Sequence, residues 1–176
     1  MEKYLPRVID SILDEYLEAF GAILIRGPKW CGKTTTAKQR ASSVLQMQDP
    51  DNFRAYLDMA NFMPSRLLEG DTPRLIDEWQ MAPVLWDAVR SAVDERQKVG
   101  QFILTGSTVI GHDQILHTGT GRIVKIDMKP MSLFESNESN GTVSLNSLFF
   151  KQDFTGSKSD LTVEQLVFSI CRGGWP

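Results

Sequence analysis

Residues Gly27 to Thr34 read Gly-Pro-Lys-Trp-Cys-Gly-Lys-Thr, a glycine, four residues, then Gly-Lys-Thr. Each residue type has a use in holding phosphate. Gly27 and Gly32 allow backbone geometry that side chains would block. N–H groups of the span through Pro28, Lys29, Trp30 and Cys31 can then point inward as an anion nest. Lys33 supplies a mobile cation for β- and γ-phosphates, Thr34 a hydroxyl for Mg²⁺, and Thr35 a group within reach of an α-phosphate. A helix opening near Lys33 adds its positive end. From average composition, a chance match in a chain of this length has odds on the order of 1 in 200. Cys31 has two readings, a redox-sensitive thiol beside Lys33 or a small residue that fits the loop.

A second group of residues completes that chemistry. The stretch Arg74-Leu75-Ile76-Asp77-Glu78-Trp79 reads as a strand ending in two acids. Asp77 suits Mg²⁺ held through water, and Glu78 suits polarising an attacking water. A kinase of small molecules, whose nucleophile is a substrate hydroxyl, has little need of the second carboxylate. No Asn-Lys-x-Asp occurs, which weakens a GTPase reading. Phe102-Ile103-Leu104-Thr105-Gly106-Ser107 is a buried strand ending in small polar residues. Thr105 or Ser107 is a candidate for orienting water between the acids and the γ-phosphate; a plain strand-end turn at Gly106 is the alternative. Arg122, after the glycines of His117-Thr118-Gly119-Thr120-Gly121, is a candidate for neutralising charge on the phosphates, from the same subunit or a neighbour, or else a surface arginine. His117 reads as a loop residue. Two histidines and two cysteines, far apart, suggest no zinc site.

These groups need elements to carry them. Leu5 to Phe20 has helical spacing at Val8, Ile12, Leu13, Tyr16, Leu17 and Phe20, with Gly21 as a stop. Strands are expected at 22–27, 43–48, 54–59, 73–79, 101–107 and 121–128. Helices are expected at 34–42, 65–70, 83–97 and 162–171, with a loop over 108–120. Strands alternating with helices predict an α/β, three-layer fold: about five mainly parallel strands between helices. The 176 residues suit one domain, taken as 1–176 with an N-terminal helix over 1–20. With 41% apolar residues, 23% charged and a net charge of −3, the chain reads as an ordinary globular protein with no overall basic field for nucleic acid. Two cysteines make no disulfide framework, and a cytoplasmic location is the natural reading. No signal-peptide stretch or transmembrane run is evident. The ending Arg172-Gly173-Gly174-Trp175-Pro176 predicts that more chain follows.

The stretches 7–37, 75–94, 100–108, 117–136 and 170–176 together resemble the AAA-superfamily P-loop ATPases of bacteria and archaea that carry a C-terminal domain of unknown function. The phosphate loop is generic; the Asp-Glu-Trp-Gln, Leu-Thr-Gly-Ser and Met-Ser-Leu-Phe-Glu blocks carry the resemblance. It implies an ATPase core with Lys33 and Thr34 in the phosphate and Mg²⁺ roles and Asp77 and Glu78 as the acids. It also implies Ser107 or Thr105 as sensor, Arg122 as arginine-finger candidate and Arg7 near the base or the phosphates. A further C-terminal domain, absent here, would complete such a protein and offer the surface for a homo-oligomer or a protein partner. The expectation is an ATP- and Mg²⁺-dependent nucleotide switch. Two rivals stand beside it, a non-enzymatic nucleotide-binding module and a small-molecule phosphotransferase.

Overall fold

Three short runs with apolar side chains at their middles become the inner strands of a sheet because both their faces find cover. In chain order the elements begin with helix α1 Asp10–Ala19, strand β1 Ala22–Arg26, helix α2 Lys33–Lys38 and strand β2 Ser43–Gln46. Helices α3 Phe53–Phe62 and α4 Pro64–Leu67, strand β3 Arg74–Asp77 and a 3-10 turn at Trp79–Met81 follow. Then come α5 Val84–Arg96, β4 Phe102–Gly106, β5 Ile123–Asp127, α6 Leu145–Phe149 and α7 Val163–Arg172. The computed structural model describes residues 4–107, 119–150 and 158–175. The chain divides into two units, Ile9–Lys129 and a smaller one of Met1–Val8 with Pro130–Pro176.

The larger unit holds a five-stranded sheet in the order β2-β3-β4-β1-β5, with every neighbouring pair parallel. Side chains alternate across it. Leu13 of α1 and Ala37 of α2 join Ile23, Ile25, Leu75 and Ile103 on one face. On the other face Leu24, Ile76, Phe102 and Leu104 pack with Ala60, Leu67, Leu85, Trp86 and Val89 from α3, α4 and α5. A sheet covered on both faces needs strands with consecutive apolar residues, as at Ala22–Ile25 of β1, Leu75 and Ile76 of β3 and Phe102–Leu104 of β4. The register pairs Arg26 with Gly106 and Asp127, and Asp77 with Thr105, so the carboxyl ends of four strands line up.

One expected strand is a helix. Residues 54–59 lie in α3, where Tyr56, Leu57 and Ala60 recur at helical spacing and pack on the sheet. Asp49 starts it. Its carboxylate accepts from Asp51 N (3.1 Å) and Asn52 Nδ2 (2.9 Å), while its carbonyl accepts from Phe53 N at 2.8 Å. A six-residue window is too short to separate a period of 2 from 3.6 when aromatic and aliphatic side chains alternate with polar ones. The first helix also starts later than expected, at Asp10, and α2 closes at Lys38.

The smaller unit is organised around two carboxylates. Glu135 accepts from Arg7 Nε (3.0 Å), Val8 N (2.7 Å), Ser132 N (2.7 Å) and Ser132 Oγ (3.0 Å). Glu138 accepts from Ser136 Oγ, from Ser169 Oγ at 2.5 Å and from Arg172 at 2.6 Å. Helix α7 opens on a capping box, Thr162 with Gln165. No helix among the described residues is long and apolar enough to cross a membrane.

Candidate functional site

The phosphate-loop residues lie where β1 meets α2, at the carboxyl edge of the sheet. Gly32 has φ 98°, a left-handed conformation that favours glycine. Gly27 is required for a different reason, because a Cβ there would meet the Met128 carbonyl oxygen at 2.2 Å. Met128 N in turn donates to Arg26 O at 2.8 Å. The root of the loop is therefore packed on backbone leaving β5. Lys33 is 5% exposed, and its Nζ donates to Gly27 O (3.0 Å) and Pro28 O (2.8 Å), so the ammonium sits under the loop's own carbonyls. Pro28, Lys29 and Thr35 are exposed; Trp30 is 86% exposed with φ 67°. Cys31 is fully buried among the residues under the loop, with Sγ 3.8 Å from Met128 O. That burial favours the plainer of its two readings, since a thiol needs access to react.

The strand order decides what meets the loop. With β4 between β1 and β3, Thr105 lies beside the acids. Asp77 Oδ1 accepts two hydroxyls, Thr34 Oγ1 at 2.6 Å and Thr105 Oγ1 at 2.5 Å. Glu78 N reaches Thr105 Oγ1 at 3.3 Å. Glu78 has φ 56°, ψ 46°, a single left-handed residue that turns the chain from β3 into the 3-10 turn. A bulky residue in that region is uncommon outside turns and functional sites. Gln80 Nε2 donates to Glu78 Oε2. Of the two candidate strand-end residues, Thr105 is the one in contact with Asp77 and with the Glu78 backbone; Ser107 stands half-buried just past β4.

One candidate of the sheet unit lies elsewhere. Arg122 precedes β5, and its carbonyl accepts from Ala22 N at 3.1 Å, so it sits at the amino edge of the sheet. A five-residue strand separates that edge from Gly27, roughly 15 Å at a rise of about 3.3 Å per residue. The Arg122 guanidinium is paired with Asp94 at 2.7 Å. As an arginine finger for the loop of its own chain, Arg122 is corrected by this geometry. Arg7 belongs to the smaller unit, where both it and Glu135 are nearly buried in their ion pair, with side chains 5% and 7% exposed. His117 and most of the expected loop over 108–120 lie outside the described residues.

Sequence reasoning missed Gln80 and Met128. Gln80 had a signal, a polar amide two residues after Glu78. Met128 had none, because it acts through its backbone.

No curated protein matches the chain. A crystal structure of a DNA replication initiation factor is similar, at 14% identity and a TM-score of 0.45, over 96% of this chain and 60% of that one. The chain thus spans 60% of the length of that protein. The family model described as an AAA domain matches residues 19–137, which run from the end of α1 past β5 and hold the loop, both acids and Thr105. The chain belongs to the AAA domain family.

Proposed function

We propose that the chain is an Mg²⁺-dependent ATPase that works as a nucleotide switch or motor core. Family membership supports nucleotide binding by an AAA ATPase domain in general terms. The finer reading rests chiefly on one observation, the Asp77 carboxylate joined to the hydroxyls of Thr34 and Thr105 with Glu78 next in the chain. Carboxylate and hydroxyl oxygens are the donor set a hard cation takes, so Thr34 and Asp77 fit Mg²⁺. When bound, that ion neutralises charge on the β- and γ-phosphates.

The residues themselves do the rest. The loop N–H groups and Lys33, released from the Gly27 and Pro28 carbonyls, bind the phosphates. Thr105 ties Asp77 to the Glu78 backbone and so holds the two acids in step. Glu78 accepts a proton from water as its oxygen attacks the γ-phosphorus in line, the bond to the β-γ bridging oxygen breaks, and ADP and phosphate leave.

A second reading, a nucleotide-binding module without turnover, is favoured by the position of Arg122. At the amino edge of the sheet, Arg122 does not serve the loop of its own chain. Calorimetric titration of Mg·ATP and Mg·GTP separates these readings. ATP is expected to bind in preference to GTP. Lys33→Ala should weaken ATP at least about tenfold, and Glu78→Gln should keep binding while turnover falls about 100-fold or more. ATP binding with wild-type turnover no higher than that of Glu78→Gln would leave the module reading; no ATP binding by the folded chain would overturn both.

A further inference from the structure

We propose that Gln80 is the positioning residue for Glu78, an inference that rests on the ATPase reading. Glu78 is anchored twice. Its backbone N–H is held by Thr105 on β4, and its side chain is held by Gln80 on the 3-10 turn. The Gln80 amide donates to Oε2, and Oε1 has no hydrogen-bond partner among the described residues. One carboxylate oxygen is thus pinned and the other is left to accept from water.

Two further observations point the same way. Gln80 Oε1 is buried and has no partner among the described residues. Buried acceptors are nearly always paired, so an orphan needs a reason. Turning the amide over would press its oxygen against the Glu78 carboxylate; the orphan is what remains when the NH₂ end is committed to Glu78. The room for this amide comes from Gly106. A Cβ there would stand 2.7 Å from Gln80 Oε1 and 3.1 Å from Trp79 Nε1. Gly106 thereby gains a role that the strand-end sequence did not disclose: it leaves space for the group that aims Glu78.

The test compares wild type, Gln80→Ala, Gln80→Glu and Gly106→Ala for Mg·ATP affinity and for kcat across pH 5.5 to 8.5. Gln80→Ala should lower kcat about tenfold or more while ATP affinity stays within about twofold, a split that lost folding would not give. Gly106→Ala brings a Cβ nearest to Gln80 and Trp79, and should lower kcat by a smaller factor with affinity again kept. Gln80→Glu sets two carboxyl groups against each other. Its kcat relative to wild type should rise as pH falls, because the introduced carboxyl donates only when protonated. Wild-type kcat in both Gln80→Ala and Gly106→Ala, or a Gln80→Glu profile parallel to wild type, would overturn the positioning role alone. A wild type no faster than Glu78→Gln would overturn the ATPase reading and this one with it.

Discussion

In the sheet unit Phe102, Ile103 and Leu104 are fully buried, whereas in α7 the buried residue is Ser169 and Val163, Phe168 and Ile170 stand 73%, 62% and 72% exposed. The two regions are held by different forces. Removing a Phe or Ile side chain from water is worth about 1.5–3 kcal/mol, and the sheet does this on both faces. Described residues of the smaller unit are held by what gathers on Glu135 and Glu138. Hydrogen bonds from Ser136, Ser169 and Arg172 carry the Glu138 carboxyl down to about 2. Burial pushes Glu135 up, but the donors of Ser132 and Val8 and the charge of Arg7 outweigh it and leave it below the ordinary value. One region depends on apolar packing, which is indifferent to pH, and the other on two carboxylates staying ionised.

The largest effect tests the first half of that contrast. Phe102→Ala should cost about 3–5 kcal/mol in urea unfolding of the sheet unit, and Phe168→Ala less than about 0.5 kcal/mol. Equal costs would break the contrast. Acid tests the second half. Both carboxyls have folded values below their unfolded ones, so their contribution is complete above the unfolded value and fades as pH falls toward the folded one. Hydrogen exchange of the Ser169–Cys171 amides should therefore rise, relative to that of β1 and β4, between pH 4.5 and about 2. Ser169→Ala, which removes one donor, should start that rise at higher pH. Simultaneous loss of protection in both regions would sink the assignment. The smallest effect concerns Arg122, whose partner Asp94 is exposed. Arg122→Ala should cost less than about 1 kcal/mol and leave ATP affinity of the single chain unchanged. A weakened affinity would put the Arg122 guanidinium at the loop.

Much of the fold was legible because local pattern and burial agree. β1, β3 and β4 are short with consecutive apolar residues, and α5 carries Leu85, Trp86, Val89, Ala92 and Val93 on its buried face. Residues 54–59 were misread because the window could not show that Tyr56, Leu57 and Ala60 belong to one helical face. Strand order was not legible, since the insertion of β4 between β1 and β3 is settled by tertiary packing. It is that insertion which selects Thr105 as the neighbour of Asp77. The place of Arg122, by contrast, was there to be read. A residue just before a strand parallel to β1 lies at the edge opposite Gly27. Arg7 offered no such clue, because its partner Glu135 is 128 positions away.

The close approach of Gly27 to the Met128 carbonyl also bears on how this loop can vary in descent or in a library. Gly27, Cys31 and Gly32 form a frame in which backbone contact, complete burial and a left-handed turn each leave little choice. Pro28, Lys29 and Trp30 form an exposed crown. Diversity introduced across the loop should survive in the crown and vanish from the frame, and a viable change at Gly27 should arrive only with a compensating change where the chain leaves β5.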